Sequence, residues 1–171
     1  RRRQDRASGN PEGSGRNVCV IGIAPLRSED RERWNVLARD YKTFVRTSLA
    51  DADYDRAWKR LQAGDGAHGL GAHRNGELVG IAHYLFHTST WVHDVCYLQD
   101  LFVDASARGS GIARALIDAV AIAARERGAQ RMYWLTHIDN IAARALYDKL
   151  ATCRGFIRYD YPLEPATTRF P

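Results

Sequence analysis

The stretch from Leu98 to Ala113 constrains the fold most, because an apolar, strand-like run leads through a short loop directly into a helix. The loop and the first helical turn read Arg108-Gly-Ser-Gly-Ile-Ala. Gly109 and Gly111 let backbone N–H groups approach a ligand without interference from a Cβ atom. The helix dipole and the charge of Arg108 both attract anions. This segment therefore predicts a strand–helix unit with a pyrophosphate-binding loop.

Two widespread phosphate-binding loops differ from this segment at a residue that each of them requires. A P-loop has a lysine directly after its last glycine, and none follows Gly111. A dinucleotide-binding loop has a third glycine where Arg114 stands. A short glycine motif is also compatible with a helix start that binds nothing, so that alternative stays open.

The apolar periodicity predicts a mixed arrangement of strands and helices. Asn75-Gly76 between two strand-like runs is a strong hairpin signal. The predicted order is strand 18–24, helix 28–47, helix 53–61, strands 69–73, 78–87 and 96–103, helix 108–127, strand 131–137, helix 140–150 and strand 156–161. Three successive strands indicate an antiparallel region, and the later alternation of helix and strand indicates parallel crossovers. We therefore expect a mixed α/β fold (α+β) around one sheet.

Charge is distributed unevenly along the chain. The 171 residues include 25 Lys and Arg against 20 Asp and Glu, a net charge of +5. Residues 1–17 hold five arginines against Asp5 and Glu12, which is +3 of that total. We interpret 1–17 as a disordered basic tail, 18–163 as one domain and 164–171 as a C-terminal tail. The nearly neutral remainder favours a protein without a nucleic-acid partner, and an Arg-rich nucleic-acid-binding protein is the alternative.

Cysteine spacing and hydropathy limit the classes of protein further. Cys19, Cys96 and Cys153 are widely spaced and form no Cys-x-x-Cys pair, which predicts reduced core thiols instead of disulfides or a zinc site. The histidines lack a helical His-x-x-x-His spacing, so we expect no metal. No apolar run in the sequence reaches the roughly 20 residues of a membrane span, and we expect no secretory signal. These features predict a cytoplasmic protein with no membrane partner.

A second motif, Asn140-Ile-Ala-Ala-Arg-Ala-Leu-Tyr147, follows the glycine loop. Asn140 and Tyr147 are seven residues apart. That spacing is about two helical turns, so both side chains are expected on one helix face. Taken alone, Tyr147 is also compatible with a half-buried core tyrosine.

Together the two segments resemble the GNAT acetyltransferase superfamily. The family pattern Arg/Gln-x-x-Gly-x-Gly/Ala matches Arg108, Gly111 and Ala113. The family element Asn-x-x-Ala-x-x-Leu-Tyr matches Asn140, Ala143, Leu146 and Tyr147. The runs 96–103 and 133–137 look most similar to the subgroup related to the yeast histone- and polyamine-acetylating enzymes. The resemblance covers about residues 18–163, and its specific part is 97–156.

The resemblance implies a single-domain fold with a central mixed sheet of six to seven strands and helices on both faces. The first half of the sheet is expected to be antiparallel, and the parallel strands 98–103 and 131–137 are expected to splay apart. Two features depart from the family pattern: Ala105 stands where many members have proline, and the loop 150–154 is longer than usual. The longer loop affects the expected acceptor pocket more than the cofactor site.

The resemblance also implies acetyl-CoA as cosubstrate between the splayed strands. The backbone of Leu101, Phe102 and Val103 would pair with the pantetheine arm, and an N–H at Leu101 would polarise the thioester carbonyl. The diphosphate would lie on the glycine loop, formed by Arg108, Gly109, Ser110, Gly111, Ile112 and Ala113. Asn140 would orient the pantetheine or the acceptor, and Tyr147 would protonate the departing thiolate. With a phenol pKa of about 10 and a thiol pKa of about 8.5, that transfer is only slightly uphill.

The implied reaction is direct attack by a primary amine in a ternary complex, with a small amine, an amino acid or a protein lysine as acceptor. An amine with a pKa of about 10 arrives as ammonium and must lose a proton. Strand alternation predicts Leu98, Asp100 and Phe102 on one face. Asp100 is the candidate that binds the ammonium or passes its proton to water, and a structural carboxylate is the alternative. His137 and Trp91 are further candidate acceptor contacts.

Two further expectations concern the whole protein. The alternative function within the same fold is a non-catalytic module that binds acyl-CoA. The family often forms homodimers, so the resemblance also implies a homodimer.

Overall fold

The computed structural model of the chain describes residues 21–161 and 163. They belong to two compact units that divide between Trp134 and Leu135. The predicted tails at 1–17 and 164–171, and the first residues of the predicted strand 18–24, lie outside the described part. The division into tails and one domain therefore stays a prediction.

The first unit contains a sheet, three helices and two short 3-10 turns. Its strands are β1 (Ile21–Pro25), β2 (Ala67–Arg74), β3 (Glu77–His87), β4 (Val95–Val103) and β5 (Arg131–Trp134). Its helices are α1 (Arg31–Phe44), α2 (Asp51–Ala63) and α3 (Ile112–Glu126). The 3-10 turns are Ser28–Asp30 and Ala105–Ala107. The sheet order is β1-β2-β3-β4-β5, antiparallel from β1 to β4 and parallel between β4 and β5.

The second unit contains helix α4 (Ile141–Leu150) and an irregular segment after it. Residues 156–161, which the apolar pattern predicts as a strand, form none. Their side chains are exposed, including Phe156 (89%) and Tyr161 (86%). A strand forms only where a neighbouring backbone supplies hydrogen-bond partners, and the described sheet has no strand from this segment.

The mixed α/β class and the antiparallel first half of the sheet are confirmed. The predicted count of six to seven strands is wrong, because five strands form in the described part of the chain. Besides the missing strand at 156–161, the last parallel strand ends at Trp134 and not at residue 137. Apolar periodicity therefore overestimated how far the sheet extends at its parallel edge.

Helices cover both faces of the sheet. Successive residues of β3 point to opposite faces, so two neighbouring residues show what packs on each. Ile81 belongs to the buried cluster that includes Trp34 and Leu37 of α1. A Cβ atom on the neighbouring Gly80 would meet Ile112 Cγ2 of α3 at 3.1 Å. The missing side chain at Gly80 therefore lets α3 lie close to the sheet.

Burial separates the two cysteines that the structure describes. Cys96 is buried in β4, and burial raises the pKa of its thiol to about 11, so it stays protonated. Cys153 is exposed after α4. The prediction of a core thiol is confirmed for Cys96 and wrong for Cys153, and Cys19 lies outside the described residues.

A β-bulge interrupts β4 at Gln99. Asp100 pairs with His83 and Leu98 pairs with Tyr84, so β4 has one more residue than β3 between these two pairs. The extra residue reverses the alternation: Asp100 faces α1, whereas Leu98 lies on the opposite face. The prediction that Leu98 and Asp100 share a face is wrong, because alternation holds only along a regular strand.

Strands β4 and β5 pair over a short stretch only. The parallel register joins Val95–Leu98 to Arg131–Trp134 and ends at the bulge. From Gln99 to Val103, β4 pairs with β3, and no strand within the described residues pairs with its other edge. This open edge agrees with the predicted separation of the two parallel strands.

Candidate functional site

The backbone of β4 presents hydrogen-bonding groups along its open edge. Asp104, which follows β4, donates its N–H to the Val79 carbonyl of β3 at 2.9 Å. Backbone directions alternate in an antiparallel ladder, so the N–H of Phe102 also points toward β3. The backbone N–H groups of Leu101 and Val103 therefore point away from β3, and they are the donors that face the open edge.

Arg108 gives independent evidence for this direction. Its Nε donates to the Val103 carbonyl at 3.1 Å, which fixes that carbonyl on the side away from β3. The Phe102 ring packs against Tyr41 of α1, with 6.1 Å between the ring centroids. The geometry therefore favours Leu101 and Val103 over Phe102 as backbone partners of a ligand.

The loop between β4 and α3 leaves its backbone donors beside open space. Gly109 and Gly111 have φ angles of 76° and 82°, in the left-handed region that favours glycine. A Cβ atom on either glycine would meet no atom within 4 Å. The Ala115 N–H donates to the Gly111 carbonyl at 3.0 Å, so the N–H groups of residues 112–114 have no acceptor inside the helix. These donors and the charge of Arg108 suit a bound anion.

Among the residues predicted to bind the diphosphate, 108–113, two have side chains that stabilise the loop and do not face the open space. Ser110 donates its hydroxyl to the Ala107 carbonyl at 2.5 Å. Ile112 is buried, with 1% of its surface exposed. These two residues can therefore contact a ligand only through their backbone N–H groups.

Asp100 lies at the centre of a buried polar cluster between β3, β4 and α1. Its Oδ2 lies 2.9 Å from His83 Nδ1, and its Oδ1 lies 3.8 Å from Lys42 Nζ. Trp34 Nε1 donates to His83 Nε2 at 2.9 Å. An indole N–H can only donate, so Nε2 accepts, and neutral His83 has its proton on Nδ1, directed at Asp100. Trp34, His83 and Asp100 thus form a directional chain that ends on the carboxylate.

This cluster keeps Asp100 ionised. Burial alone raises the pKa of the carboxyl group, but the hydrogen bond from His83, the Lys42 ammonium and the Tyr41 hydroxyl together lower the pKa below its usual range. A carboxylate with a low pKa is a weak base and a strong partner for a cation. The cluster therefore suits binding of positive charge better than removal of a proton.

Within the second unit, Asn140 and Tyr147 lie two turns apart along α4. Asn140 precedes the helix, and its Nδ2 donates to Thr136 Oγ1 at 3.0 Å. Tyr147 is half-buried, and burial raises the pKa of its hydroxyl above the usual 10.0. The side chain of His137 is exposed. Tyr147 is therefore a protonated phenol at neutral pH.

The structure brings some of the predicted residues to one end of β4. Asp100, Leu101 and Arg108 lie in or directly after its C-terminal half. Trp91 is 92% exposed in the loop before β4, at the opposite end of a strand roughly 25 Å long. An open cavity of about 330 Å³ borders the first end, lined in part by Asp40, Phe44, Phe102, Asp104 and Arg108.

Sequence reasoning missed the partners of Asp100. The histidine spacing bears only on metal binding, and Trp34 and Lys42 lie within the predicted helix 28–47, where no pattern indicates a role in the site. The contact between His83 and Asp100 depends on the register of β3 against β4, including the bulge. The available signal was one polar residue, His83, inside the otherwise apolar run Leu78–Phe86.

Neither a metal centre nor a membrane span is found in the part of the chain that the structure describes. There, no three His, Cys, Asp or Glu side chains are grouped so that they could hold a metal ion. None of the helices at residues 21–161 combines the length and apolar character that crossing a membrane requires.

Sequence comparisons identify acetyltransferases as relatives. The family model "Acetyltransferase (GNAT) family" matches residues 31–151. The chain is 34% identical over 136 residues to the D-amino-acid N-acetyltransferase HPA3 of Saccharomyces cerevisiae, covering 77% of this chain and 84% of that protein. It is 35% identical over 81 residues to the thialysine N-epsilon-acetyltransferase of Caenorhabditis elegans, covering 47% of this chain and 51% of that protein.

Solved structures share the fold at low sequence identity. The aminoglycoside acetyltransferase AAC(6')-Iy in complex with a CoA-containing bisubstrate analogue has a TM-score of 0.76 and 19% identity, covering 85% of this chain and 99% of that one. The ribosomal-protein-alanine N-acetyltransferase of Brucella melitensis biovar Abortus 2308 has a TM-score of 0.72 and 24% identity, covering 84% and 100%. At these identities the likeness shows a common fold.

Proposed function

The chain belongs to the GNAT acetyltransferase family, and on that premise we propose that it transfers an acetyl group from acetyl-CoA to the primary amine of an amino acid or another small amine. The acceptor attacks directly in a ternary complex. The observation that carries the proposal is the open edge of β4, which leads into a glycine loop with Arg108 and unpaired helix N–H groups. The names of the two relatives specify amino-acid acceptors, which favours a small amine over a protein lysine.

The residues at this edge fit acetyl-CoA. An extended arm with amide groups can pair with the Val103 N–H and the Leu101 carbonyl as an additional strand would. A diphosphate is matched by Arg108, by the left-handed Gly109 and Gly111, and by the helix N–H groups. When bound, acetyl-CoA supplies an activated thioester.

The Leu101 N–H is proposed to donate to the carbonyl oxygen that gains negative charge during transfer. Its direction toward the open edge, fixed by the strand pairing, supports this role. A donor of this kind lowers the barrier of other acyl transfers by about 3–4 kcal/mol.

Asp100 is proposed to hold the acceptor's ammonium group near β4. Its burial and lowered pKa support this electrostatic role over that of a general base, so the ammonium proton passes to water. Trp91 lies at the opposite end of β4 from Arg108, so it does not fit as a contact of a small acceptor held near Asp100, and the exposed His137 stays the further candidate.

Tyr147 is proposed to donate its hydroxyl proton to the departing thiolate, and Asn140 to orient the pantetheine or the acceptor. Burial keeps the Tyr147 phenol protonated over a wide pH range, which supports an acid role. The raised pKa makes the transfer to a thiol with a pKa of about 8.5 more uphill than for a free phenol.

A homodimeric state and a cytoplasmic location stay predictions.

Two measurements test the function. We expect acetyl-CoA to bind in isothermal titration calorimetry, and CoA to be released when amino acids, polyamines or aminoglycosides are added. If acetyl-CoA does not bind and no amine releases CoA, the proposal is rejected. Binding without any release of CoA would favour the non-catalytic module instead.

A further inference from the structure

A second cavity, of about 520 Å³, lies at the turn between α1 and α2 and has no role in the proposed function so far. Its lining is rich in arginines and hydroxyls, including Arg39, Arg46, Thr43, Thr47, Ser48 and Tyr54. Thr43 also lines the smaller cavity beside Phe102, Asp104 and Arg108. The two cavities therefore adjoin at Thr43, next to the C-terminal end of β4.

The charge of this cavity is positive. Arg39 lies 4.2 Å from the centroid of the Tyr54 ring, and its Nη2 lies 2.7 Å from Asp51 Oδ1. The Asp51 side chain is 88% exposed, so this ion pair is open to water and contributes little. Arg46 has no ion pair with any residue that the structure describes, so one guanidinium charge is left unbalanced.

Guanidinium groups flanked by hydroxyls match the chemistry of a carboxylate. The planar guanidinium binds both carboxylate oxygens at once, and hydroxyls donate further hydrogen bonds. A polyamine, which is positive along its whole length, would instead be repelled. An acceptor suited to this cavity therefore carries a carboxylate for the arginines in addition to the amine that is acetylated.

We propose that the α1–α2 cavity binds the carboxylate of an amino-acid acceptor, with Arg46 as its main partner and Arg39 as the second. This inference rests on the proposed function, because it assigns the other end of the molecule whose amine is acetylated. It predicts that the enzyme selects acceptors by their carboxylate and discriminates against amines that lack one.

The test compares D-alanine, L-alanine and L-lysine with their carboxamides as acceptors. Arg46 is exposed, so we expect Arg46→Gln to lower kcat/KM for the amino acids by about 2-fold to 5-fold, the range for an ion pair open to water, and to leave the carboxamides unchanged. The amine of a carboxamide is less basic than that of an amino acid, but this difference is the same in the wild type and the variant. It therefore cancels when the amino-acid-to-carboxamide ratio of kcat/KM is compared between the two proteins. Arg46→Lys should retain part of the preference, and the exposed Arg60→Gln is the charge-matched control.

The outcomes separate this inference from the proposed function. Equal loss for amino acids and carboxamides, or no loss for either in Arg46→Gln, overturns the carboxylate site while leaving acetyl transfer intact. If no acceptor is acetylated, the proposed function fails, and calorimetric titration of the same amino acids and carboxamides still decides the site. Tighter binding of the amino acids than of the carboxamides, lost in Arg46→Gln, supports the site; equal binding of both, or of neither, rejects it.

Discussion

At the residue scale, Asp100 is a buried charge with three side-chain partners: hydrogen bonds from His83 and Tyr41, and the Lys42 ammonium 3.8 Å away. His83 donates from Nδ1 because the Trp34 indole occupies its Nε2. Lys42 and Tyr41 complete the set. A substrate ammonium would enter a site whose negative charge is already held in place, so little reorganisation is needed when it binds.

Replacing Asp100 with asparagine tests this arrangement. Asp100→Asn removes the negative charge but retains the shape, so we expect kcat/KM for the amine to fall by about 10-fold to 150-fold, as for a lost hydrogen bond to a charged group. Calorimetry should show an unchanged affinity for acetyl-CoA. Asp65→Asn, at an exposed position after α2, is the control. An unchanged kcat/KM would assign Asp100 a structural role only.

Tyr147 is the second residue whose role can be tested by removing a single atom, its hydroxyl oxygen. Tyr147→Phe should lower kcat by about 10²-fold to 10⁴-fold, the usual contribution of a general acid, without changing acetyl-CoA affinity. Because burial raises the pKa of Tyr147, the wild-type acid should stay protonated up to pH values above 10. Tyr159→Phe, at an exposed tyrosine of the same unit, is the matched control. A kcat equal to the wild type would exclude Tyr147 as the acid.

At the element scale, the glycine loop was predictable and the course of β4 was not. Gly109, Gly111 and the start of α3 follow from local rules, because left-handed glycines and helix starts depend on neighbouring residues. The bulge at Gln99 depends on how β4 pairs with β3, which no local pattern shows. For this reason the sequence indicated Asp100 but not the side of the strand that it shares with His83.

The segment 156–161 shows the same limit. Its apolar residues have the alternation of a strand, yet strand formation depends on a partner backbone that the alternation does not reveal. By contrast, the buried face of α3, with Ile112, Leu116 and Val120, follows directly from helical periodicity.

Two glycines at opposite ends of α3 separate the effects of backbone strain from those of ligand binding. Gly111 and Gly128 have φ angles of 82° and 79°, and a Cβ atom on either would meet no atom within 4 Å. Alanine at each position should therefore lower the free energy of unfolding by about 1–2 kcal/mol. Only Gly111→Ala should also weaken acetyl-CoA binding, by placing a methyl group over the loop. Equal affinity in both variants, measured by calorimetry, would contradict a ligand at this loop.

At the scale of the whole molecule, buried or bonded aspartates join elements that are distant in sequence. Asp30 accepts a hydrogen bond from the Arg27 N–H at 2.9 Å and lies 2.8 Å from His73 Nε2 on β2. Burial raises the pKa of Asp30, but these two partners lower it overall. With Asp100 and Asp104, this places three carboxyl groups with lowered pKa at junctions of the first unit.

We therefore expect acid to lower the free energy of unfolding as these carboxylates become protonated. The pKa of Asp104 defines the pH range in which this happens. Hydrogen bonds from Ser106, and then from Arg33, lower the pKa of Asp104 to about 2, against about 3.9 in an unfolded chain. Below a pH of about 4 the Asp104 carboxylate binds a proton in the unfolded state but stays ionised in the folded state. The free energy of unfolding therefore falls until the pH is about 2. Asp104→Asn should flatten this dependence in urea titrations at pH 5, 4 and 3, whereas the exposed Asp118→Asn should retain it. Parallel curves for Asp104→Asn and the wild type would show that Asp104 is bonded no differently in the folded and unfolded states.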